Sequence, residues 1–358
     1  MAIAMTTALS SQEAQTVQVG EFALTLRDVL PGDGDAVVAL HTLVFGPDVD
    51  AKWFAWKYGQ AAQQGQGQAV GIWHGGALIA FCGGLPHTLW RQGRRVQGLQ
   101  IGDVMVHPAW RGMLTRHGPF FHVSQRFYDS RLGAAQNHPF QLGFGFPNAR
   151  HLRLAVLLGL LHDGGAMESL HWATAPTAID RLPWHWRWQE MAPTEEHFDR
   201  DVNAAWQTML AQSPDLTLAQ RDAAYLRWRY ADRPNAAGAP AAAPVRYRFF
   251  KLRRAWSSKP VGVAVLDLRA SSAHWLDWVG PPELMLLACQ ACRLEAARAG
   301  ATELTAWASP AVARMLERSG IVQRETCAWL GIPAASDLRP QELPGLHWWL
   351  MGGDTDFL

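Results

Sequence analysis

Asp103 and His107, four residues apart in Gly102-Asp103-Val104-Met105-Val106-His107-Pro108, are the first residues whose types and spacing suggest chemistry. A carboxylate or an imidazole removes the proton that a nucleophilic amine must lose, if it reaches that amine directly or through one water. His122 offers a further imidazole. Directly after Pro108 the chain reads Ala109-Trp110-Arg111-Gly112-Met113-Leu114-Thr115-Arg116-His117-Gly118. Two arginines, a threonine and two glycines ahead of a helical run suit an anion, because amides converge at a helix N-terminus and glycines allow close approach. Each feature has a plainer reading. Asp103 bonds neighbouring backbone at a strand start, His107 faces solvent in a turn, and the arginines make a basic surface turn.

The elements that must position these residues are legible. Val96 to Val106 reads as a strand, and a helix runs from about Pro119 to Leu132, with Pro119 in its first turn. Gln141-Leu142-Gly143-Phe144-Gly145-Phe146 is a second strand, and Pro147-Asn148 leads into the helix Ala149 to Leu158. This is a parallel β-α-β-α unit whose first turn suits an anion. Upstream lie the strand Phe22 to Arg27, a helix Ala36 to Phe45 capped by Asp35, and an aromatic helix Asp50 to Tyr58. Trp53 on that last helix is placed to roof a pocket. A hairpin, Ala69 to Trp73 with Ala77 to Cys82, and a strand Leu85 to Trp90 complete the first half with a strand Ala166 to Trp172.

Order and spacing then restart. Strands Val245–Leu252, Val261–Leu268 and His274–Val279 precede a helix Glu283–Ala299, a strand Glu303–Ala308 and a helix Ala311–Arg318. The chain divides into a flexible N-terminus (1–20), an α/β domain (21–172), a connector (173–217) and a second domain of the same order (218–358).

The first unit resembles the GNAT-type N-acetyltransferase superfamily. There a strand ending in Val-x-Pro leads into an Arg/Gln-x-x-Gly-x-Gly/Ala loop that binds the coenzyme A pyrophosphate. Gly102 to Gly112 is similar to that strand and turn. Gly145-Phe146-Pro147-Asn148, with the helix ending at Leu158-Gly159-Leu160, is similar to the family's second strand and helix. The resemblance implies two tandem GNAT-like domains, each a mixed, mostly antiparallel sheet with a β-α-β-α core flanked by helices. It implies acetyl-CoA or another acyl-CoA as co-substrate, with no metal. Val104, Met105, Val106, Arg111, Gly112, Met113, Leu114, Thr115, Arg116, His117, Gly118, Phe146 and Asn148 would line its site. A β-bulge near Met105 and Val106 would free an amide to stabilise the oxyanion. Asp103, two positions from Met105 and on its face, is the preferred base, ahead of His107 and His122.

This sequence departs from the family in two places. Leu114 and Arg116 stand where glycines are expected, so Arg111, Arg116 and His117 would compensate by charge. Ala155 occupies the position of the tyrosine that protonates the departing thiolate, so water or another side chain such as Tyr128 serves, the thiolate leaves unassisted, or the site is not catalytic. The second domain lacks the pyrophosphate loop, since Gly280-Pro281-Pro282-Glu283 has no arginine and its prolines donate no N–H. It is expected to shape the acceptor site instead. The tail Gly352-Gly353-Asp354-Thr355-Asp356 either frays or offers Asp354 and Asp356 to an acceptor ammonium.

Composition narrows the rest. Lys+Arg 32 against Asp+Glu 31 gives no argument for nucleic acid or an acidic membrane, and no apolar run reaches the ~20 residues of a membrane helix. Four scattered cysteines make no disulfide scaffold, and Cys289-x-x-Cys292 reads as buried helix filler rather than a metal site. Eighteen tryptophans read mainly as core. The expectation is a cytoplasmic monomer or homodimer that moves an acyl group to a small-molecule amine. The alternatives are a Fem-type aminoacyl transferase using charged tRNA and a silent acyl-CoA-binding scaffold.

Overall fold

The computed structural model describes residues 14–59, 68–112, 117–134, 138–174, 182–238, 246–269, 271–338 and 340–355. The first half contains β1 (Gln15–Val19), β2 (Phe22–Asp28), α1 (Gly34–Phe45), α2 (Ala51–Tyr58), β3 (Gln68–His74), β4 (Ala77–Arg91), β5 (Arg94–Val106), α3 (Pro119–Arg131), β6 (Leu142–Gly145), α4 (Ala149–Leu157) and β7 (Leu161–Ala173). The second contains β8 (Trp186–Met191), α5 (Phe198–Ala211), β9 (Thr217–Ala219), α6 (Ala223–Leu226), β10 (Tyr247–Arg254), β11 (Pro260–Leu268), β12 (Ser272–Val279), α7 (Met285–Arg298), β13 (Glu303–Ala308), α8 (Pro310–Met315), β14 (Gln323–Pro333) and β15 (Trp348–Trp349).

Two features differ from expectation. Gln15–Val19 is not a flexible end: it pairs antiparallel with β2 and buries Val17 and Val19 in its alternating pattern. The strands expected at Ala77–Cys82 and Leu85–Trp90 are one, because Gly83-Gly84 stays paired to β5 through the bend.

All described strands belong to one mixed sheet of order β1-β2-β3-β4-β5-β6-β14-β7-β13-β12-β11-β10-β8, with β9 and β15 paired at its side. The two halves exchange strands at its middle. β14, from the second half, lies between β6 and β7; β7, from the first, lies between β14 and β13. Each half therefore completes the other's sheet, and the apolar cluster around Phe144 draws side chains from both, including Met167, Ile332 and Trp348. Among the described residues no helix is long and apolar enough to cross a membrane.

α2 owes its start to Asp50, whose Oδ1 accepts from the Lys52 and Trp53 amides at 2.9 and 3.0 Å. Phe54 and Tyr58 then face the core beside Met105, with Lys57 also buried. That orientation sets up the site.

Candidate active site

β5 and β6 run parallel only from Gly98↔Leu142 to Ile101↔Gly145. β6 ends there, while β5 continues to Val106, so a gap opens between them. The His107 amide donates to Ile79 on β4 at 2.8 Å. Because amide direction alternates along a strand, the Val104 and Val106 amides point away from β4, into the gap. Met105 turns into the core on the α2 side, and Val104 and Val106 pack toward α3.

The strand reaches this gap through a bulge. Phe81 pairs with Met105 and Gly83 with Gly102, so Cys82 alone faces Asp103 and Val104. The extra residue lies two positions earlier than expected, at Asp103, whose φ of 51° is left-handed. Short polar residues tolerate that region best, and holding one there costs about 1–3 kcal/mol.

At the mouth of the gap Gly112 takes φ 72°, which favours glycine. Arg111 folds back so that its Nε donates to the Val106 carbonyl at 2.8 Å. Met113, Leu114, Thr115 and Arg116 lie outside the described residues. His117 stacks on Phe121 with ring centroids 4.0 Å apart, and Gly118 caps α3 with Pro119 at its first position, as the sequence implies. Across the mouth α4 begins at Asn148, whose Oδ1 accepts from the His151 amide at 2.9 Å. Phe146, just past β6, is buried. The two helix starts meet where Phe120 packs edge-on against His151, centroids 4.8 Å apart. Burial pushes the His151 imidazole down to about 4, and its Nε2 has no hydrogen-bond partner among the described residues.

On the α2 side of β5, Asp103 enters a cavity of about 790 Å³ between the halves. The Lys57 ammonium lies 2.7 Å and the Tyr58 hydroxyl 2.6 Å from the same oxygen, Oδ2. Burial alone would raise this carboxyl's pKa. The Lys57 charge and the two hydrogen bonds outweigh it and hold the group ionised, below the usual carboxylate range. A Cβ at Gly83 would overlap the Tyr58 hydroxyl, so that glycine clears the phenol's route to Asp103.

Trp53 and Trp56 line the same cavity, as does His41 of α1. The His41 ring packs 4.8 Å from Trp53, and its buried Nδ1 lacks a hydrogen-bond partner among the described residues. Burial lowers its pKa; Asp103 pulls the other way and Lys57 reinforces the drop. The imidazole is therefore neutral at pH 7 and able to accept a proton. His41 and Lys57 escaped the sequence reading, in which Tyr58 figures only as part of the aromatic helix that roofs a pocket. The Asp50 cap fixes which face of α2 turns inward.

Four other expected residues are placed differently from their expected roles. The His107 Nδ1 accepts from the Ala109 amide at 3.2 Å, capping a short 3-10 turn at Pro108–Trp110. Tyr128 is closed within the core against Ser124 and Cys82, and burial holds its phenol neutral far above its usual range. His122 sits beside His117 over a separate hollow on the outer side of α3. Asp354 does not reach into the cavity. It is buried against Arg221 and accepts from the Met351 amide at 2.8 Å, because an enclosed guanidinium needs a carboxylate partner. Asp356 lies outside the described residues. Ala155 of α4 is wholly buried.

No family model and no curated protein matches the chain in sequence. Solved structures do match in shape. A probable N-acyltransferase of unknown function from Enterococcus faecalis aligns with TM-score 0.62 at 12% identity, over 87% of this chain and 72% of that one. A GCN5-related N-acetyltransferase from Kribbella flavida gives 0.58 at 16%, over 86% and 70%. Saccharomyces cerevisiae N-myristoyltransferase with bound myristoyl-CoA gives 0.54 at 10%, over 90% and 80%. The α/β architecture with its splayed β5–β6 pair, repeated in the second half, is the tandem GNAT fold.

Proposed function

We propose that the protein is an acyl-CoA-dependent N-acyltransferase that transfers an acyl group directly to an amine of a small molecule. The observation that carries this reading is the position of Asp103. It sits at the bulge of β5, so the free edge facing the gap and the cavity between the halves meet at one residue.

In this reading the pyrophosphate rests at the start of α3. Pro119 has no N–H, leaving the Phe120 and Phe121 amides as donors, and Arg111, whose Nε donates to the Val106 carbonyl, supplies a cation at the mouth of the gap. The pantetheine arm runs along the exposed edge of β5, with Asn148 and His151, whose Nε2 has no partner among the described residues, on the facing side. The amide of Val104 or Val106 stabilises the oxyanion as the thioester carbonyl is attacked.

The amine enters from the cavity. Asp103, held ionised, is a weak base but a good partner for an ammonium group. His41, neutral at working pH, is the base we assign for the proton lost before attack. The nitrogen becomes far more acidic once bonded to the carbonyl carbon, so Asp103 or water takes the second proton. A thiol has a pKa near ~8.5, so coenzyme A leaves as a thiolate without an acid at Ala155.

The test monitors thiol release from acetyl-CoA and longer acyl-CoAs with a panel of amines. Turnover with at least one pair, reduced about a hundredfold or more in His41→Ala, supports the reading. Acyl-CoA binding with no turnover on any amine favours the silent scaffold.

A further inference from the structure

Resting on that assignment of the cavity to the acceptor, we infer that the acceptor is a small amine whose other end carries an anionic group, a carboxylate or a phosphate. Among the described residues the cavity is lined by five cations, Lys57, Arg229, Arg233, Arg246 and Arg269, against three carboxylates, Asp48, Asp103 and Asp267. Its two sides differ in sign. The first half supplies two carboxylates, Asp48 and Asp103, against the single cation Lys57, next to neutral His41.

The second half supplies a cationic side. Oδ2 of Asp267 is shared by the Arg246 Nε at 3.1 Å and the Arg269 Nη2 at 2.7 Å. One carboxylate, itself 3% exposed, underlies two guanidinium groups that are 40% and 50% exposed, so a positive charge is left over. Arg233 stands close by, its Nη1 donating to the Tyr247 hydroxyl at 3.0 Å and its guanidinium 5.7 Å from the Trp56 ring. Pinned guanidinium forks match the paired oxygens of a carboxylate or phosphate better than any neutral group. At about 790 Å³ the cavity suits a metabolite-sized ligand. An amine lacking the anion does not balance the surplus positive charge of that side, and a polyamine is repelled by it.

Calorimetric titration without coenzyme A tests this on matched pairs: amino acids against their amides, and aminoalkyl phosphates against the corresponding amino alcohols. The anionic member of at least one series should bind about tenfold or more tightly than its neutral partner, and the series that binds identifies the anion. Arg246→Gln and Arg269→Gln change half-exposed residues, so both should melt near the wild type yet lose about tenfold in that binding. Equal affinity within every pair, no binding by any anionic member, or undiminished binding in both variants would overturn the inference. Selective binding with no turnover would instead remove the acyltransferase reading and leave the anionic ligand standing.

Discussion

The two halves carry the same device at the same place, and only one of them leaves it open. In the first, β5 bulges at Asp103, which is paired to Lys57 and Tyr58. In the second, β12 carries its extra residue at Leu276, since Val265 pairs with Asp277 and Leu266 with Trp275. Asp277 there accepts from Arg221 at 2.8 Å and from the Tyr230 hydroxyl at 3.2 Å. Acid, cation and phenol recur without sequence identity between their surroundings.

What surrounds them differs. β12 and β13 also separate after a short parallel stretch, Ser272↔Glu303 to His274↔Thr305, but the chain's own 350–354 segment occupies the opening. Met351 bridges Ala308, the Ser309 amide donates to Leu350, and Asp354 joins Asp277 on the enclosed Arg221. In the first half no described strand or bridge spans β5 and β6 beyond Ile101 and Gly145. In both halves a buried carboxylate at the bulge is paired with a buried cation. Whether it then serves as structure or as chemistry depends on whether a cavity reaches it.

That contrast predicts opposite outcomes for matched substitutions. Asp277→Ala leaves Arg221 buried with one carboxylate instead of two and should cost about 3–5 kcal/mol in urea unfolding, with turnover per folded molecule unchanged. Asp103→Ala leaves Lys57 beside an open cavity and should cost less stability, about 1–3 kcal/mol, while turnover falls about a hundredfold. Reversed outcomes would break the comparison.

His41→Ala should lower kcat by about 10²–10⁴ while leaving acyl-CoA binding intact. In the wild type the rate depends on neutral imidazole, so it holds at neutral pH and falls as pH drops through the His41 pKa. Burial places that fall below the ordinary histidine range, and the acidic limb should vanish from the pH profile of His41→Ala. An unchanged limb would reassign the base.

Met351→Ala empties a fully buried side chain from the filled gap and should cost about 2–5 kcal/mol. It should create no second acyl-CoA site, because the turn at Pro281 and Pro282 has no amides to offer at those positions. The smallest effect is expected for Gly112→Ala, where an added Cβ meets nothing within 4 Å among the described residues and the left-handed backbone resists. A loss of about 1–2 kcal/mol in stability, with a modest rise in KM for acyl-CoA, checks that turn.

The local elements of the site were readable from the chain. The strand, the Pro119 start of α3, the brief β6 and the Asn148 cap lie within about sixty residues and carry their own turn chemistry. The strand exchange was not readable, because β7 and β14 show the same alternation whichever neighbours they pair with. Asp354 looked like a free tail carboxylate because its partner, Arg221, is 133 residues away in sequence. His41 carried no mark at all. A lone histidine on a helix gains meaning only from the cavity in front of it.

The most direct test of the central claim is calorimetric titration of acyl-CoA into the wild type and into the Arg111→Ala, Arg116→Ala double variant. One site per chain, lost or weakened at least tenfold in the variant, is the result expected if only the first gap is open. Two equivalent sites, or no binding by the wild type to any acyl-CoA, would contradict it.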